Sequence, residues 1–184
     1  MSAHRKPPAA ARHPDVPAQV QAAVAGLRSH DGSVRTSARE ALARIGTQAV
    51  PAVLPLLKDP SPELRWEAAK ALVALADVTA AAALVAALED RTFGVRWLAA
   101  EGLIATGEGA LATLLAALIE RSHSVWLRSG AHHVLHDLAR GDLKALLEPI
   151  VIALDQGEPQ VGLLAPATNA LNRLRIIGAG TGGG

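Results

Sequence analysis

The eighteen residues from Asp59 to Ala76 read D-P-S-P-E-L-R-W-E-A-A-K-A-L-V-A-L-A. Their apolar positions Leu64, Ala68, Ala71, Leu72 and Leu75 follow the three-and-four spacing of one helix face. Asp59, Pro60 and Ser61 ahead of them are helix-start signals. The stretch recurs. Asp31 opens D-G-S-V-R-T-S-A-R-E-A-L-A-R-I-G, Asp90 opens D-R-T-F-G-V-R-W-L-A-A-E-G-L, and Ser124 opens S-V-W-L-R-S-G-A-H-H-V-L. An apolar-Arg pair marks the register at Val34-Arg35, Leu64-Arg65, Val95-Arg96 and Leu127-Arg128, in steps of 30, 31 and 32 residues. A worn fifth copy without the Arg starts at Val161. A fixed period of this size signals stacked units that cannot bury their apolar faces alone.

Between the copies lies a second helical pattern, such as A-V-P-A-V-L-P-L-L-K from Ala49. Each unit is therefore a helix A, a turn and a helix B carrying the signature. The reading is an all-α, right-handed α-solenoid (an α-α superhelix) of about five helix pairs, with residues 16–177 as the solenoid. Pro55 should shorten helix A of the second unit, and Pro166 should disturb the last helix. Residues 1–15 read as a flexible tail and residues 178–184 as a Gly-rich one. The Asp at each turn is expected to cap helix B. Arg35, Arg65, Arg96 and Arg128 are expected to form a structural ladder with neighbouring acids or carbonyls.

The pattern V-R-x-x-A-x-x-A-L-x-x-I-G, met from Val34 to Gly46, resembles the HEAT family, and within it the short bacterial HEAT-like repeat of phycobilisome lyases. The resemblance runs from about Val16 to Ile177. It implies the solenoid, and it implies that one side of the B helices lines a concave surface. It leaves function open, since family members scaffold, bind DNA, ligate chromophores or hold iron. The iron-binding member that hydroxylates deoxyhypusine uses His-Glu dipeptides, and this sequence has none.

Composition narrows the classes. The chain has 184 residues, half of them hydrophobic, no Cys and a net charge of +1. The absence of Cys removes disulfides, thiolate nucleophiles and thiolate metal sites. Interspersed charge argues against a nucleic-acid surface, which wants clustered Lys and Arg. No apolar run is expected to reach the roughly 18 to 20 residues of a membrane span. An apolar segment after the N-terminal basic residues is lacking too, so a bacterial cytoplasmic protein is expected.

With Leu64 at zero and 100° per residue, the outward face of helix B in the second unit carries Trp66, Ala69, Lys70 and Val73. The third unit places Trp97, Ala100, Glu101 and Ile104 there, and the fourth Ser129, His132, His133 and His136. The expected concave binding face is Trp66, Lys70, Val73, Trp97, Glu101, Ile104, Ser129 and His133. An exposed apolar patch with Trp marks an interaction site, so a non-catalytic protein- or peptide-binding scaffold is the favoured reading. The competing possibility for the two Trp is rings lying flat within a tightly wound stack. Self-association through the same groove is a further one.

The alternative function is a metal- or chromophore-binding protein centred on the His cluster. His132 and His136 are four apart on one helix face, and with Glu101 they match the donors of a zinc or iron site. A Ser129, His133 and Asp137 arrangement lacks any loop to stabilise an oxyanion, so no catalytic residue is assigned.

Overall fold

The computed structural model describes residues 15–156 and 161–180. Of the expected tails over residues 1–15 and 178–184, residues 1–14 and 181–184 lie outside them. Helices alternate in two layers. They are α1 (Val16–Gly26), α2 (Gly32–Ile45), α3 (Val50–Val53), α4 (Pro62–Leu75), α5 (Ala81–Ala87), α6 (Phe93–Thr106), α7 (Leu111–Glu120), α8 (Val125–Leu138), α9 (Lys144–Asp155) and α10 (Val161–Gly180). Among the described residues there is no strand.

One layer stacks α2, α4, α6 and α8 in sequence, and the other runs α1, α3, α5, α7. Between them Leu42, Leu72, Leu103 and Leu135 from the first layer meet Leu84, Leu114 and Leu118 from the second, all 1 % exposed or less. Each such side chain contributes roughly 1.5–3 kcal/mol by leaving water. The helices approach closely where small residues permit. A Cβ on Gly130 of α8 would stand 2.7 Å from Leu88 Cδ2.

The prolines act in different ways. Pro51 sits in the first turn of α3, and Pro55 lies in the 3-10 segment Leu54–Lys58, so that helix A is only a short α turn flanked by 3-10 segments. Pro166, by contrast, leaves α10 continuous. The carbonyl it strips of a donor belongs to Gly162, which is exposed to solvent and needs no protein partner. The helix also runs on to Gly180, past the expected boundary at Ile177.

The capping expectation holds for the first copy and changes in the next two. Asp31 caps α2 by accepting from Ser33 N. In α4 the cap is Ser61, and Asp59 stands two residues earlier, accepting from Ser61 N at 3.0 Å. In α6 the cap position is Thr92, and Asp90 accepts from Thr92 N at 2.7 Å. Displacement from the cap frees the second oxygen of Asp90 for another repeat's Arg.

The last pair exchanges its layers. α9 packs on α8 and α10 packs on α7, so the fifth signature helix does not extend the B layer. Turn geometry accounts for this. Helices α2, α4 and α6 end on Gly46 (φ 79°), Ala76 (φ 48°) and Gly107 (φ 70°), positive values that send the chain across to the other layer. Helix α8 ends on Ala139 at φ −73°, the positive φ comes two residues later at Gly141 (φ 52°), and α9 folds back beside α8.

The run Phe93–Glu120 is long and apolar enough to pass for a membrane span, against the expectation of none. It is divided by the 3-10 turn Gly107–Ala110, and its Leu103, Leu111 and Leu115 are fully buried in the core.

Candidate functional site

Three of the four arginines expected in the ladder, Arg35, Arg65 and Arg96, share a repeated geometry, whereas Arg128 at the head of α8 makes no such contact among the described residues. Arg35 Nη1 donates to the carbonyls of Ser29 (2.9 Å) and His30 (3.0 Å). Arg65 Nη1 donates to those of Asp59 (2.9 Å) and Pro60 (3.1 Å), and Arg96 Nη1 to those of Asp90 (2.7 Å) and Arg91 (3.2 Å). Each guanidinium thus staples the turn before its own helix. Its other edge reaches the next repeat: Arg35 Nε donates to Glu67 Oε1 at 2.7 Å, and Arg65 grips both oxygens of Asp90 at 2.7 and 3.0 Å. Glu67 also accepts from Arg39. It is buried at 4 % exposure, and its structural role was not foreseen. Burial pushes the Asp90 carboxyl up, but the hydrogen bonds from Arg65 and Thr92 outweigh it and hold the group below the usual carboxylate range.

Arg96 differs. Its guanidinium lies over the Trp126 ring at 4.7 Å and near the Phe93 ring at 5.7 Å. These two aromatics and Trp97 are exposed, at 68 % for Phe93, 48 % for Trp97 and 45 % for Trp126. With Arg96, Ser129 and His133 they line a cleft of about 280 Å³ between α6 and α8.

The sequence-expected face is brought together in part. Trp97 stacks on His133 with ring centroids 4.6 Å apart, and His133 Nε2 meets Glu101 Oε1 at 2.9 Å. Ser129 lies exposed on the cleft wall. Trp66 does not pair with Trp97. It is half-buried against the core, its ring lies against Gly94, and Lys70 sits over it at 4.6 Å. Val73 and Ile104 are half-buried. Ala69 and Ala100, expected to face water, are 0 % and 2 % exposed because neighbouring B helices cover that flank.

The expected metal set of His132, His136 and Glu101 is not assembled. Glu101 is taken by His133. His132 Nε2 lies 2.8 Å from Asp155 Oδ1 of α9, off the angle a hydrogen bond needs. The His132 and His136 rings remain neighbours at 5.9 Å. Among the described residues no group of three His, Asp or Glu converges as ligands. Asp155 enters only because α9 took the place expected of α10.

Phe93, Val125 and Trp126 were missed as surface residues. Val125 is 66 % exposed. The rotation that places Trp97 outward puts Phe93 and Val125, two residues ahead of the register position, at about 160°.

Paired helices in two layers, tied by arginines that repeat every 30 or so residues, define an all-α repeat solenoid. Residues 20–104 match the family model of HEAT repeats, and over that stretch the chain is similar to HEAT-like repeat proteins. A chain in the structure of the complex of CpcE and CpcF of phycocyanin lyase from Nostoc sp. PCC7120 is similar to it. That chain is 24% identical, with 83% of this chain and 98% of that one covered, at a TM-score of 0.56. An engineered protein is 22% identical over 85% of this chain and 79% of that one, at a TM-score of 0.43. No curated protein matches this chain.

Proposed function

We propose that the chain is a non-catalytic scaffold that binds a protein or peptide on the solvent face of α4, α6 and α8. The observation that carries the reading is the exposed trio Phe93, Trp97 and Trp126 around one cleft. Three large aromatics in water at one place cost free energy that a partner's apolar surface recovers, and Trp is favoured where such energy concentrates. Trp97 is the central anchor. Lys70, Glu101 and His133 orient the partner, while Trp66, Val73, Ile104 and Ser129 flank it. The structural relative belongs to a two-protein complex, but at its identity it supports the fold alone.

The metal alternative has lost its carboxylate to His133.

The test is Trp97→Ala combined with Trp126→Ala. Helical circular dichroism should match the wild type, and capture of partners from the native cell should fail. Capture undiminished by the double change would refute this surface. A shift of the wild type, but not the variant, to a dimer in light scattering would assign the face to self-association.

A further inference from the structure

We infer that the cleft receives an acidic side chain from a partner peptide, and that Arg96 is the residue that grips it. The inference rests on the scaffold reading above and names the chemistry of what is bound. The argument comes from the repeats themselves. Arg35, Arg65 and Arg96 are held alike, each with Nη1 on the two carbonyls five and six residues before it. In the first two the remaining edge holds a carboxylate, Glu67 for Arg35 and Asp90 for Arg65. Among the described residues Arg96 has none.

The reason is that neither acid recurs in the fourth unit, where the residue matching Glu67 is Gly130. Asp90 sits two residues before the α6 cap, and the residue two before the α8 cap Ser124 is Ser122. Ser122 is too short and uncharged, and the Trp126 ring lies on the guanidinium face instead. Stacking occupies the face of the plane and leaves the Nε–Nη2 edge, the edge on which Arg65 carries its carboxylate. A planar fork of two N–H donors is matched by a carboxylate. Neighbouring acids are committed elsewhere: Glu101 to His133, and Glu89 to Arg121 and Ser124. The cleft therefore presents an uncompensated cation within an aromatic rim. A small free acid would satisfy the charge and leave Phe93 and Trp97 wet, so a peptide with an Asp or Glu beside apolar residues fits better. The Asp90–Thr92 turn shows the form it takes, since Thr92 Oγ1 also accepts from Arg65 Nη2 at 3.2 Å.

The experiment uses an acetylated, amidated peptide of residues 88–95, Leu-Glu-Asp-Arg-Thr-Phe-Gly-Val, with Gln in place of the Glu so that Asp is its one acid, and the same peptide with Asn in place of Asp. Binding to the full chain is followed by tryptophan fluorescence. The Asp peptide should bind saturably, and the Asn peptide roughly tenfold or more weakly, as loss of a charged hydrogen-bond pair implies. Ser122→Asp should supply the missing carboxylate internally. It should raise Tm by about 2–4 °C and abolish binding of the Asp peptide, whereas Arg96→Gln should abolish binding without raising Tm. Failure of the Asp peptide to bind overturns the inference. So does a Ser122→Asp protein that is no more stable and still binds. Equal binding of both peptides, lost in the Trp97→Ala, Trp126→Ala double variant, overturns the acidic specificity and leaves the scaffold reading standing.

Discussion

Asp90 is tied to two repeats at once. One oxygen closes its own turn on Thr92 N, and both oxygens meet Arg65, whose side chain is 8 % exposed against 11 % for Asp90. Removing one partner of so enclosed a pair strands the other charge, at a typical cost of about 3–5 kcal/mol. Asp90→Asn should therefore lower stability markedly at neutral pH. The pH dependence has a definite sign. The folded carboxyl titrates below its unfolded value of about 3.9, so its contribution is present above that value and is lost as pH falls towards the folded one. Thermal melts of wild type and Asp90→Asn should differ most near neutrality and converge below pH of about 4. A gap that stays constant down to pH of about 2 would mean that the pair's ionisation contributes nothing.

Helix ends show how much of this architecture the sequence discloses. The B-helix period, the Arg ladder and the outward place of Trp97 follow from residue type and spacing alone. The exchange of α9 and α10 does not, because it depends on the backbone at Ala139 rather than on any apolar pattern. The burial of Ala69 and Ala100 was illegible for a related reason: a helical wheel gives direction but not how close the next helix lies. The same helix ends carry a stability prediction. Gly46 and Gly107 take φ 79°, ψ −151° and φ 70°, ψ −143°, a region essentially closed to other residues. Ala76 holds the corresponding end of α4 at φ 48°, ψ 40°, the left-handed conformation that costs a non-glycine residue roughly 1–2 kcal/mol. Part of that is offset by glycine's freer unfolded chain. Ala76→Gly should thus raise stability by about 0.5–1 kcal/mol, seen as a higher midpoint in urea with an unchanged slope. A lower midpoint would show that the alanine methyl does more in packing than it costs in backbone strain.

At the scale of the whole molecule, the solenoid is strongest in its middle. Stacked repeats touch mainly their neighbours, so stability is a sum of local and interface terms. Helix α6 has α4 on one side, α8 on the other and α5 beneath. Among the described residues, helices α1 and α2 have a stacked partner on one side only, and Val16, Ala22, Val34 and Ile45 line an open groove of about 630 Å³ at that end. At the other end α10 rests on α7 and α9, with Ile176 72 % exposed. Opening α1 or α10 breaks two interfaces, whereas opening α6 breaks three. Native-state hydrogen exchange should follow this order, with amides of α6 slowest and those of α1 and α10 at least about tenfold faster, a difference of about 1.4 kcal/mol in opening free energy. Equal protection across α1, α6 and α10 would mean one cooperative block, in which a partner held at α6 and α8 stabilises the far ends as much as the centre. Graded protection would confine that effect to the central repeats, where the aromatic cleft sits on the most rigid part of the stack.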